Sequence, residues 1–172
     1  MKNILIIRSA NMAAMDKLIN YIKKHNEDYN IYCLIQKGSI KNFKEKYPCI
    51  NYIEKEDGFF KYKDFKKNLD LKNKLKDINL DSIYIPSSYV DFPDFQDTFM
   101  IASKIASRKY ILFNIEEEIQ EQNLNFMLLW IDKYLGEIIY FIKVLFALIG
   151  IFIIYVLGYP YYFLKNKVMR DM

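Results

Sequence analysis

The residues best placed to do chemistry lie in two short runs, RSANMAAMD (residues 8–16) and PSSYVDFPD (residues 86–94), each following a stretch of β-forming residues. Ligands of an open parallel sheet collect at the carboxyl ends of its strands. Ser9, Asn11, Ser87 and Ser88 are therefore the candidate ligand-binding residues, with hydroxyl and amide groups that both donate and accept. The competing reading is that loop serines of this kind satisfy nearby backbone groups. Asp16 closes the first run and is its only carboxylate.

Several other chemistries find no support. Neither run has the GxGxxG spacing of a dinucleotide loop, and no GKS or GKT phosphate loop occurs. The single histidine, His25, sits in the polar run KKHNEDYN, so a histidine-built zinc site and a Ser-His-Asp arrangement are both hard to assemble. Cys33 and Cys49 show no CxxC spacing and read as buried thiols in a reducing compartment. No metal is expected, and no cofactor for the chain alone.

The elements that must position these residues follow from hydrophobic patterning. NILIIR (3–8) is a strand whose consecutive apolar residues suit burial on both faces. Met12, Met15, Leu18, Ile19 and Ile22 then recur at helical steps within residues 11–25. NIYCLI (30–35) is the second strand, and Ser39 is expected to cap a short helix that ends before Pro48. CINYI (49–53) is a short third strand, and residues 54–62 form a loop with the exposed-looking pair Phe59 and Phe60. A helix over 64–80, a strand at SIYIPSS (82–88), a helix from Asp94 and a fifth strand at KYILFN (109–114) complete the alternation. The expected fold class is α/β, a Rossmann-like parallel sheet of about five strands with flanking helices over residues 1–114.

Beyond residue 114 the pattern changes. Residues 115–143 begin with acidic side chains and grow apolar, with Trp130 and Tyr134, as expected of an amphipathic connecting helix at the membrane interface or of a last helix packed on the sheet. Residues 144–164 are 21 consecutive uncharged residues, enough to cross a hydrocarbon core that needs about 20 in helical form. Thirteen are Leu, Ile, Val or Phe, which gives an insertion free energy of about −4 to −8 kcal/mol before correction for glycines and Pro160. Lys143 can snorkel at one edge, and Tyr159, Tyr161 and Tyr162 form an aromatic belt before the basic tail at 165–172. A single crossing and a re-entrant hairpin bent near Gly150, or at Gly158 and Pro160, both remain open.

Charge supports the same location. Residues 1–114 hold 20 Lys or Arg against 14 Asp or Glu, and much of the excess of 6 lies in the lysine-rich stretch 61–76. Such a block is first a solvated helix face; anionic lipid would attract it, and nucleic acid is not expected as a partner. The opening apolar run before Arg8 is too short for a signal peptide, so the folded domain is expected to face the cytoplasm from the cell membrane.

The order NILIIRSANMAAMDKLINYIKK, KNFKEKYP, CINYIEK, LDSIYIP and IASKIASRKYILF resembles the N-terminal half of the heptosyltransferase-type glycosyltransferases. The resemblance implies a GT-B half, in which an N-terminal Rossmann-like domain holds the sugar acceptor and a second domain, lacking here, holds the nucleotide-sugar donor. In that family the first loop ends in Gly-Asp, and the Asp is taken as the general base. Laid on this chain without gaps, Ala13 and Ala14 occupy those two places. The resemblance then offers Asp16 as the candidate catalytic residue, although two helical positions rotate it by about 200°.

The expected function is that of a membrane-anchored, glycosyltransferase-like protein in cell-envelope polysaccharide or glycolipid synthesis. It would be either an acceptor-side subunit working with a soluble donor-binding glycosyltransferase subunit or an inactive relative. The alternatives are a non-catalytic, membrane-tethered scaffold with a flavodoxin-like fold and a small monotopic enzyme of unknown chemistry.

Overall fold

The computed structural model describes residues 2–160 and, beyond them to Arg170, only the course of the backbone; the side chains of Glu137 and Leu157 are not described. The side chains of the basic tail at 165–172 and of the belt residues Tyr161 and Tyr162 lie outside what is described. The chain divides into two compact units, Met1–Leu129 and Trp130–Met172.

The first unit is an α/β layer structure. Its strands are β1 (Lys2–Ile7), β2 (Tyr29–Gln36), β3 (Asn51–Lys55), β4 (Leu80–Pro86), β5 (Ser107–Phe113) and β6 (Ile119–Gln122). They lie in the order β3-β2-β1-β4-β5-β6, with the first five mutually parallel and β6 antiparallel to β5. This is the doubly wound Rossmann order, with β1 flanked by β2 and β4. A flavodoxin-like sheet would instead place β3 beside β1, so that part of the scaffold expectation is corrected.

Both faces of the sheet are covered, as the unbroken apolar strands require. Along β1, Ile4 and Ile6 face one side and Leu5 and Ile7 the other, all fully buried. The first side packs on α1 (Met12–His25) through Met15, Leu18, Ile19 and Ile22, and on α2 (Ile40–Lys46) through Ile40 and Phe43. The opposite side packs on α3 (Tyr62–Lys67), α4 (Leu69–Lys76) and α5 (Gln96–Ala102) through Phe65, Leu71, Leu75 and Ile101.

Four local expectations are corrected. The helix foreseen over 64–80 is two helices, because the Asn68 side chain accepts from Leu71 N at 2.9 Å and caps α4 where α3 ends. Ser39 makes no side-chain cap; its hydroxyl accepts from Arg8 instead. Cys33 is buried, but Cys49 is exposed ahead of β3.

The fourth correction adds a strand. Residues 115–122 do not begin a helix, because Asn114 Oδ1 accepts from Glu116 N at 3.0 Å and Glu118 N at 2.9 Å, turning the chain back. Glu117 takes a left-handed φ of 66° in that turn, and β6 then pairs with β5, making the sheet six-stranded. Lys109 and Glu121 form a 2.9 Å ion pair between β5 and β6, and the polar sequence IQEQ suits an exposed edge.

A single helix, α6, runs from Phe126 to Arg170 over 45 residues, about 68 Å. It continues through Gly150, Gly158 and Pro160, so the backbone makes no re-entrant hairpin. Its start is held in the first unit, where the Phe126 ring meets Tyr62 at 5.2 Å and the Lys104 ammonium at 3.5 Å. The stretch Phe126–Pro160 is long and apolar enough to cross a membrane, and the described apolar side chains from Trp130 onward are exposed.

Candidate functional site

The winding of the sheet reverses between β1 and β4, where a doubly wound fold opens its crevice. A cleft of about 530 Å³ lies at the carboxyl edge there. Its walls come from Arg8, Ser9 and Ala10 after β1, Gln36 at the end of β2, Phe59–Lys61 after β3, and Pro93–Phe95 with Asp97 and Thr98 after β4.

Arg8 is the most constrained charge in the cleft. Its Nη1 donates to Gln36 Oε1 at 3.0 Å and to Ser39 Oγ at 2.8 Å, and its guanidinium carbon sits 4.7 Å from the Phe43 ring centre. Burial lowers its pKa from the ordinary value, an effect that the neighbouring Cys33 opposes. Its Nε is buried with no hydrogen-bond partner. Burial also pushes the Cys33 thiol up to about 12, so no thiolate is present near neutrality.

Acidic and aromatic side chains also line the cleft. Asp94 is exposed and holds a left-handed φ of 59°, a conformation that Asp tolerates better than most residues. Asp97 accepts from Tyr62 N at 2.9 Å and so ties the start of α3 to α5. Phe59 is exposed on the loop after β3, whereas its neighbour Phe60 is buried.

The candidate residues from the sequence fall into two groups. Ser9 lines the cleft, but its hydroxyl donates to Pro86 O at 2.8 Å and bridges the ends of β1 and β4. Asn11 caps α1, its Oδ1 accepting from Ala14 N at 3.0 Å, while its own N–H donates to Ser88 Oγ at 2.8 Å. Ser87 is fully buried, donating to Asp91 O at 2.7 Å and accepting from Tyr89 N at 3.0 Å. Ser9, Asn11 and Ser88 thus join the loops after β1 and β4 to one another, while Ser87 braces the loop after β4 from within.

Asp16 lies apart from them and is not among the cleft walls. It accepts from Lys46 Nζ at 2.6 Å, joining α1 to α2. Ala14 is fully buried in α1. No group of three or more His, Cys, Asp or Glu able to hold a metal occurs among the described residues.

Gln36, Lys61, Phe95 and Asp97 were not singled out in the sequence. Their signal was topological, since they lie at or beyond the carboxyl ends of β2, β3 and β4, and the strand order that brings those ends together is not written in any one segment. Compared with protein-family models, curated proteins and solved structures, the chain matches none.

Proposed function

We propose that this chain is the acceptor-side member of a glycosyltransferase-like pair, tethered to the cell membrane with its α/β unit on the cytoplasmic side. In this reading it binds a lipid-linked saccharide during envelope polysaccharide or glycolipid synthesis and leaves the nucleotide-sugar to a soluble donor-binding partner subunit. The supporting observation is a switch-point cleft and a helix of membrane-crossing length on one chain. A lipid-linked acceptor is confined to the bilayer surface, and anchoring its binding half there raises the effective concentration of one for the other.

The lining suits such a ligand. Arg8 brings a cationic guanidinium to the lining, Asp94 offers acceptors for hydroxyls, and the Phe59 ring offers an apolar face. The chain is read as non-catalytic by itself, because the Asp16 carboxylate is paired with Lys46 and the family's aspartate place holds a buried alanine.

The test is binding by the full chain in lipid nanodiscs. A lipid-linked saccharide should bind saturably, and combining Arg8→Ala with Asp94→Asn should weaken it at least about tenfold, the loss of one or two charge-assisted hydrogen bonds. Saturable nucleotide-sugar binding by this chain alone, or saccharide binding indifferent to the substitutions, would overturn the reading.

A second reading has one observation in its favour. Ser9, Asn11, Ser87 and Ser88 all use polar atoms on internal bonds, which fits a scaffold that recruits a soluble partner. A partner without sugar-nucleotide affinity, bound while the cleft stays empty of saccharide, would select it.

A further inference from the structure

The loop after β3 and the two helices that follow it combine an unbalanced positive charge with large apolar side chains held in water. Phe59 is 86% exposed and Leu69 67% exposed, although both belong to an otherwise well-packed unit. Residues 61–76 contain seven lysines against Asp64 and Asp70, a net charge of 7 − 2 = +5. Lys74 pairs with Asp70 at 2.7 Å, but the exposed side chains of Lys63, Lys66 and Lys67 have no ion pair among the described residues.

These features adjoin one another. A second cleft, about 240 Å³, has Phe60, Lys61, Phe65, Asn68 and Leu71 in its lining. Phe59 and Leu69 are the chain neighbours of Phe60 and Asn68 in that lining. Phe59 and Lys61 also line the larger cleft at the switch point.

We infer that Phe59, Leu69 and the lysines of α3 form a second membrane contact, in which the two apolar side chains enter the headgroup region of an anionic bilayer and Lys63, Lys66 and Lys67 engage lipid phosphates. Two arguments select lipid over protein as the occupant. Protein interfaces are depleted in lysine, whereas lysine beside exposed Phe and Leu is the composition of a surface that lies in a lipid interface. A helix fit for a bilayer on the same chain also keeps that surface within reach of the lipid. The contact rests on the tether and not on the sugar chemistry, and it brings the mouth of the larger cleft to the level of lipid headgroups.

Each lysine near an anionic surface is worth about fivefold in partitioning, so neutralising three costs about a hundredfold. The experiment uses the full chain with Cys49→Ser and Phe59→Cys, spin-labelled at residue 59 and reconstituted into phosphatidylcholine vesicles with or without phosphatidylglycerol. The label should be more accessible to oxygen than to a water-soluble nickel complex only when phosphatidylglycerol is present. Lys63→Gln, Lys66→Gln and Lys67→Gln together should return it to water.

A label that stays in water in both vesicles, on a chain that floats with them, would overturn the contact and leave the tether standing. A label shielded from water regardless of lipid charge or of the lysines would mean that protein covers the loop, and would overturn it equally. A chain that does not float with either vesicle would overturn contact and tether together.

Discussion

Lys46 Nζ stands 2.6 Å from Asp16 Oδ2, and this pair fastens the last residue of α2 to the first half of α1. The pair is partly exposed, with 46% and 35% of the two side chains open to solvent. The other carboxylate oxygen is buried without a partner, so removing the side chain relieves a cost as it breaks the bond. Asp16→Ala should therefore change stability by less than about 1 kcal/mol. Saccharide binding by the full chain should be unmoved. Thermal unfolding and nanodisc binding check the two halves, and abolished binding would restore Asp16 to the site.

Ser87 should be the more sensitive residue. Its hydroxyl is fully buried and serves both Asp91 O and Tyr89 N, which shape the loop after β4. Ser87→Ala strands both partners and should cost about 1–3 kcal/mol in denaturant unfolding. An unchanged midpoint would show that the loop does not depend on that hydroxyl.

The cysteines should separate by reactivity and by pH. Exposed Cys49 should react with a thiol reagent at neutral pH, while Cys33 should react only on unfolding. Burial, the larger influence, raises the folded-state pKa of Cys33 from 9.0 to about 12, against the smaller opposing effect of Arg8. A thiol whose folded pKa is raised contributes stability that is complete below the unfolded pKa. That contribution is lost as pH rises through the interval between the two values. Stability should thus fall between pH 9 and about 12, with Tyr52 and Tyr84, also raised by burial to about 12, adding to the slope above pH 10. Cys33→Val should flatten the fall in an alkaline unfolding series; an unchanged slope would remove Cys33 from it.

Much of the α/β unit was legible because its signals are local. The apolar run after Asn3 could only be a doubly covered strand, and the stripe from Met12 to Ile22 could only be a helix facing it. The helix break at Asn68 was hidden because Leu69, which continues the apolar series in the sequence, is exposed in the structure. The acidic run after Asn114 imitated a helix start, and only the side-chain hydrogen bonds of Asn114 and the free edge of β5 convert it to a turn and a strand. Ser9, Asn11, Ser87 and Ser88 lie at the strand ends, but their polar atoms are spent on bonds between the two loops or, for Ser87, within its own. The cleft itself was not legible as a set, because Gln36, Lys61 and Asp94 meet only through the strand order.

Membrane anchoring depends most on the uncharged stretch at 144–164 preferring hydrocarbon to water. Carbonate extraction of cells expressing the full chain tests this directly. The native chain should remain in the membrane pellet, whereas Ile151→Asp with Ile154→Asp should release it, since two acidic residues near the middle cost about 5–7 kcal/mol and cancel the favourable insertion. A native chain recovered in the carbonate supernatant as a soluble monomer would contradict the account.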